Sequence, residues 1–289
     1  MERKNLEGKR IKIYARSYSL ELYCYSKGLY ETFGVPVVRA TDQTADGYFY
    51  TMLKDTDCDI AINIDEDAFV INPDAILDLA EYMLENNYVN VGISEFCRGS
   101  RFNSVITNPF FNIFHLAKIR EKYISSKEVK KFNYEAVRDE LKAKLPQEML
   151  NANFDCVDFE PYYQFFFWLA YNFDTLYLPY KTHKDGISTI LYDNKGNELL
   201  FHSWYARFYN VSTLISRFWN VKNNQTIRID ALIDEAYRLR EMGKPAKLNQ
   251  ITLLCDKTIR FVIKSISRVC GFPRKWLKWY KRYQRKKKK

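Results

Sequence analysis

Residues 59–70 read Asp59-Ile-Ala-Ile-Asn-Ile-Asp-Glu-Asp-Ala-Phe-Val70, an apolar run of strand character that stops at three consecutive acids, Asp65, Glu66 and Asp67. Carboxylates at the end of a buried strand rarely serve packing. Crowding three negative charges raises the cost of ionising all of them unless a cation offsets the repulsion. In strand geometry Asp65 and Asp67 point to one side and Glu66 to the other, so one hard divalent cation is able to bridge the two aspartates and a substrate phosphate. A solvated acidic loop leading into the next helix is the competing reading of the same residues.

The surroundings of this stretch alternate strand and helix. Ile11 to Tyr14 reads as a strand, Leu20 to Phe33 as a helix stopped by Gly34, Val35 to Val38 as a strand, and Ala45 to Lys54 as a helix ahead of the strand Asp59 to Ile64. That is the grammar of a parallel sheet covered by helices. After the acids, Asn72 is placed to cap a helix with Pro73 at its first position, running to about Asn87, and Tyr88 to Ser94 follows as a strand. Residues 116–152, rich in Lys and Glu, read as an inserted helical subdomain. An aromatic helix, Phe159 to Asn172, precedes two strands, Thr189 to Tyr192 and Glu198 to His202, whose connection Asp193-Asn-Lys-Gly-Asn197 has hairpin-turn chemistry. Beyond Thr213 only helices are expected, about Ile229 to Met242 and Leu248 to Cys270. The expected organisation is a domain over 1–210, a helical region over 211–272 and a separate tail, 273–289.

With 289 residues, 47% of them hydrophobic, the chain is able to bury a full core. The six cysteines form no C-x-x-C pair and no regular spacing, which argues against a zinc site or a disulfide framework and for a reducing compartment. Residues 1–10 are charged without an apolar run, so no signal peptide is expected. The richest apolar stretch, Phe165 to Ala170, is far too short to span a membrane.

The net charge of +10 is unevenly placed. Residues 273–289 hold ten basic residues and no acid; without those ten, the 45 Lys and Arg fall to 35, equal to the 35 Asp and Glu. In that tail Trp276, Trp279, Tyr280 and Tyr283 recur at three to four residues, interleaved with Lys275, Lys278 and Arg282. Such a helix has one aromatic side and a cationic remainder, the composition of an interfacial helix on an anionic membrane surface. A nucleic-acid binder is expected to carry basic residues on its folded body as well, and this body is neutral, so no nucleic-acid partner is expected.

An alternating α/β half, an apolar strand ending in Asp65-Glu66-Asp67, a later acid ahead of a helix and a downstream histidine together resemble the GT-A glycosyltransferases, in particular bacterial enzymes that build surface polysaccharides. The resemblance covers about residues 9–210. It implies a GT-A-like mostly parallel sheet flanked by helices, with a C-terminal helical extension. It also implies Mn²⁺ or Mg²⁺ held by Asp65 and Asp67 against the diphosphate of a nucleotide-sugar donor, as Lewis-acid assistance to the leaving group. The histidine that completes such a metal site matches His202, in Leu200-Phe-His-Ser-Trp-Tyr-Ala-Arg207; a satisfied strand-end histidine is the alternative. His115 reads as structural, and His183, in a Lys-rich loop, as able to touch phosphate.

An inverting enzyme of this class needs a carboxylate to take the acceptor hydroxyl's proton. Glu160, next to Pro161, is the first candidate and Asp158 the second; helix-terminus acids that favour the macrodipole look the same. Arg16 after the first strand, and Arg39 and Asp42 after the second, are candidates for donor binding alongside Asp65. The loop Arg98-Gly-Ser-Arg-Phe102 suits an acceptor phosphate or a lid. The implied acceptor is a glycan, lipid-linked if the tail seats the chain on the inner face of the cell membrane from the cytoplasm. Two other readings remain: a haloacid-dehalogenase-like phosphatase, against which Phe69 and the depth of the motif count, and a non-enzymatic calcium- and membrane-binding protein, which lacks a repeated calcium loop.

Overall fold

The computed structural model describes residues 4–41, 43–149, 153–210, 225–256 and 258. The chain divides into two compact units, residues 1–245 and 246–289. Of the second, residues 250–256 are helical, with Ile251 and Leu254 exposed; the expected tail, with Lys275, Trp276, Lys278, Trp279, Tyr280, Arg282 and Tyr283, lies outside the described residues.

The first unit is built on a six-stranded sheet. Its strands are β1 (Ile11–Ser17), β2 (Val37–Thr41), β3 (Ile60–Ile64), β5 (Asn90–Ser94), β6 (Thr107–His115) and β7 (Thr175–Tyr177), in spatial order β2-β1-β3-β6-β5-β7. β1 pairs parallel with β2 and β3, and β5 with β7; only β6 runs against its neighbours. A second, antiparallel sheet joins β4 (Ala68–Val70), β10 (Glu198–His202), β9 (Thr189–Tyr192) and β8 (Tyr180–Thr182). The helices are α1 (Leu20–Tyr30), α2 (Ala45–Lys54), α3 (Pro73–Glu85), α4 (Leu116–Lys122), α5 (Ser126–Val129), α6 (Arg138–Ala143), α7 (Tyr163–Asn172) and α8 (Gln225–Leu239). The sheet is mostly parallel and flanked by helices, as expected of an α/β fold. No described helix is long and apolar enough to cross a membrane.

Strand alternation distributes β3 between two cores. Ile60, Ile62 and Ile64 pack in a cluster with residues of α1, α3 and α8, while Ala61 joins the opposite cluster with α2, α4 and α7. Burial on both faces is why this strand reads as an unbroken apolar run. Local signals place the helix ends: Ser19 and Asn72 accept the backbone N–H of Leu22 and Ala75 as N-caps, and Gly34 takes φ 70° where the α1 segment stops. Between β9 and β10 the Asp193 carboxylate accepts the N–H groups of Lys195 and Asn197, and Gly196 takes φ 88°.

Across the expected insertion the described residues form short helices, α4 to α6, with intervening single turns. The aromatic helix starts at Tyr163 rather than Phe159, so Glu160 and Pro161 lie in the approach to it. The strands β4, β7 and β8, of three residues each, are too short to carry a periodic signal.

The aromatic content of α7 is core. Phe166 is 1% exposed and meets Phe49 edge-on at 5.1 Å between ring centroids. Phe166→Ala is expected to destabilise the first unit by about 3–5 kcal/mol, read from urea unfolding followed by tyrosine and tryptophan fluorescence. A loss below about 1 kcal/mol would be incompatible with a close-packed site there.

Candidate active site

The carboxyl ends of β1 and β3 open into a cleft of about 1170 Å³ whose lining includes Arg16, Asp65, Glu66, Asp67, Arg98, Glu160, His202 and Trp204. Open α/β sheets place ligands beyond the carboxyl ends of their strands, and the acids fall there.

Residues 65–67 form the turn from β3 into β4 rather than a continuation of β3, so strict side-to-side alternation does not apply, and all three acids are buried. Glu66 is held by the chain itself: its carboxylate accepts the backbone N–H groups of Tyr18 at 2.8 Å and Ser19 at 2.6 Å, at the entry to α1. Burial nevertheless pushes this carboxyl up to about 8. The Asp65 carboxyl is also raised by burial, against the pull of Arg16, whose Nη2 lies 2.8 Å from Asp65 Oδ2. Asp67 moves the other way: burial opposes ionisation, but His202 and Ser203 outweigh it and lower the carboxyl. Ser203 Oγ donates to Asp67 Oδ2 at 3.1 Å, and His202 Nε2 lies 3.4 Å from the same oxygen.

The second sheet delivers His202. β10 pairs antiparallel with β4 so that His202 stands opposite Ala68, the residue after Asp67, and Ser203 N–H donates to the Asp67 carbonyl at 2.9 Å. The imidazole stacks on Phe110 at 3.9 Å between centroids, and Trp204 closes its other side at 4.2 Å. Trp204 and Tyr205 both adopt positive φ, 57° and 59°, an uncommon pair of left-handed non-glycine residues at a cleft wall.

Among the described residues no group of three or more His, Cys, Asp or Glu side chains is arranged to hold a metal by protein donors alone. Two features fit a cation shared with a substrate: Asp65 Oδ1 is buried without a hydrogen-bond partner, and Asp67 and His202 already converge on one side of the cleft. Mg²⁺ uses one or two carboxylates together with substrate phosphates, so a closed protein cage is not required.

Glu160 is half-buried and lines the cleft. It lies just ahead of α7, where the macrodipole alternative places an acid, and the N-cap Tyr162 has no side-chain cap bond. Asp158 is exposed and is not among the lining residues. Arg39 also lies outside the lining: its Nε donates to Ser17 Oγ at 3.1 Å and its guanidinium stacks over Tyr23 at 4.8 Å. Asp42 lies outside the described residues.

Three features escaped sequence reasoning. Glu95, fully buried, accepts the Tyr162 hydroxyl and pairs with Arg98 at 3.3 Å, fixing one cleft wall; burial raises its carboxyl. Trp204 and Tyr205 line the cleft directly after the quoted His202, which was their only signal. His183 is not a phosphate contact in a Lys-rich loop but a buried residue 3.3 Å from Glu235 and 3.5 Å from Asp185. Asp185 in turn receives Ser188 and Arg228, and Arg228 donates to the Trp204 carbonyl at 3.0 Å, so this network tethers the 183–188 loop to the turn that carries Trp204.

These bonds, against the opposing effect of burial, hold the Asp185 carboxyl down at about 2, from an ordinary value of 3.8. A depressed carboxyl contributes stability that is present above its unfolded value and lost as pH falls through the folded one. Acidification from about pH 4 to pH 2 is therefore expected to lower the protection of the Ile187 and Ser188 amides relative to their intrinsic exchange rates, and Asp185→Asn to remove that dependence. Protection at these amides that does not change across this window would contradict the assignment.

No family model matches the chain, and no curated protein matches it. Solved structures give partial likenesses. A protein from STIV shares 12% identity over 66% of this chain and 93% of that one, with a TM-score of 0.36. A glycosyltransferase involved in glycosylation of the major capsid of PBCV-1 shares 12% over 47% and 78%, with a TM-score of 0.29. A mannosyltransferase from Pyrobaculum calidifontis, in complex with GDP-Man and Mn²⁺, shares 11% over 59% and 55%, with a TM-score of 0.34.

Proposed function

We propose that the chain is a metal-dependent glycosyltransferase of hexosyltransferase type, moving a sugar from a nucleotide-sugar donor to a lipid-linked glycan in surface-polysaccharide biosynthesis. The observation that carries this reading is the convergence of Asp65, Asp67, His202 and Glu160 on one cleft at the carboxyl ends of β1 and β3. Asp65, Asp67 and His202 are the residues to hold Mn²⁺ or Mg²⁺, which supplies charge neutralisation of the departing diphosphate when bound. Glu160 accepts the proton of the attacking hydroxyl. Arg16 steadies Asp65 and lies where a diphosphate would approach.

Hydrolysis of a panel of nucleotide sugars, with and without Mn²⁺, tests the reading; no turnover of any donor in the presence of metal would overturn it. The lipid-linked acceptor and the peripheral membrane location rest on the basic, aromatic composition of residues 273–289. Removal of these residues is expected to abolish salt-sensitive co-sedimentation with anionic vesicles. Unchanged sedimentation would withdraw the membrane part of the proposal and leave the chemistry standing.

A further inference from the structure

The wall of the cleft beside Glu160 has a composition that metal and donor do not use. Arg98, tied to the buried Glu95, lays its guanidinium over Phe102 at 4.2 Å and Phe159 at 5.1 Å and reaches within 6.0 Å of Trp204. The Arg101 guanidinium also lies over the Phe102 ring, at 4.8 Å. Arg207 lines the same cleft on the turn that carries Trp204. Arg101 and Arg207 are exposed, and among the described residues neither has an acidic partner. Phe159 is 44% exposed and adjoins Glu160 in sequence.

Arginines stacked on rings keep their planar donor edges free, which suits a phosphoryl group presented from the cleft. Phe159, exposed beside them, offers an apolar face to a sugar or a lipid stem. The position decides which substrate: a base must lie within hydrogen-bond reach of the hydroxyl it deprotonates, so the group beside Glu160 belongs to the acceptor. The donor diphosphate is assigned to the opposite, acidic part of the cleft, around Asp65 and Asp67.

We propose that Arg98, Arg101 and Arg207, with Phe102, Phe159 and Trp204, form a subsite for a phosphoryl group carried by the acceptor close to the hydroxyl that is glycosylated. This rests on the glycosyltransferase reading above. Two sources supply such a group, a sugar phosphate or the diphosphate of an isoprenoid carrier, and they differ in what lies next to the anion.

The test measures binding, not turnover, on the full chain. Glucose 1-phosphate and farnesyl diphosphate are titrated in separate arms, with neutral methyl glucoside as control. Each is followed by tryptophan fluorescence with UDP, GDP and Mn²⁺ present in excess to occupy the donor end. Arg98 is left intact, because removing it would strand the buried Glu95 charge. The variant is Arg101→Ala with Arg207→Ala, two exposed side chains, and its thermal unfolding is compared with that of the parent chain.

At least one phosphorylated probe is expected to bind where methyl glucoside does not, and the double variant to weaken it by at least about tenfold. The arm that binds identifies the source. Binding by neither probe, or binding equal in the variant, would each overturn the subsite. Donor hydrolysis is scored separately: phosphate binding at these arginines without any donor turnover would take away the acceptor assignment through the failure of the transferase reading, not through the site.

Discussion

Asp67→Asn is expected to lower nucleotide-sugar turnover by at least about 10²-fold, the scale of removing one major electrostatic stabiliser of a transition state. The substitution keeps the shape of the side chain and one oxygen to accept from Ser203, and the Ser203 N–H bond to the Asp67 carbonyl is a backbone contact that does not depend on the side chain. Thermal unfolding should therefore stay close to that of the parent chain, which separates loss of charge from loss of fold. What changes is the one carboxylate at the site held below its ordinary value by His202 and Ser203, the form a divalent cation requires. Near-full activity in this variant, or an enzyme indifferent to EDTA, would remove the metal assignment.

Glu160→Gln isolates the proton transfer. Glutamine preserves size and the capacity to hydrogen-bond but cannot accept a proton at neutral pH, so donor turnover should fall by about 10²–10⁴-fold. Binding of nucleoside diphosphate with Mn²⁺ should be unchanged, because Glu160 lies on the approach to α7 and not on the β3–β4 turn. A kcat loss with intact nucleotide affinity is the signature of a group used only in the transition state. Unchanged turnover would return Glu160 to the surface chemistry of a helix approach and direct attention to the other acids of the cleft.

How much of the site was legible depended on how far apart its parts lie in the chain. Asp65 and Asp67 stood out because the apolar run of β3 and the acids are contiguous, while strand alternation said of Glu66 only that it faces the other way. Its capture by the Tyr18 and Ser19 amides comes from a loop about fifty residues earlier and has no local trace. Glu160 was visible as an acid ahead of an aromatic segment. The helix start was placed early because Phe159 and Tyr162 are as aromatic as the helix proper, although the chain does not enter it until Tyr163. Glu95 was invisible: a lone glutamate after a strand gives no hint that Tyr162 and Arg98 will enclose it.

The sequence by itself determined the alternation of strands and helices from β1 to β3, the helix cap at Asn72, the turn at Asp193–Asn197 and the confinement of excess positive charge to residues 273–289. Each is settled by neighbours within a few residues, where side-chain periodicity and backbone preference act directly. Only the tertiary structure decided that His202 meets Asp67, that His183 is buried against Glu235 rather than offered to a ligand, and that the Arg98 loop closes over the rings beside Glu160. The reason is register: Ser203 and Asp67 are 136 residues apart, and their meeting depends on how the three-residue β4 aligns with β10. A slip of one position would carry His202 to the opposite face of its sheet, and no local preference in either segment specifies against it.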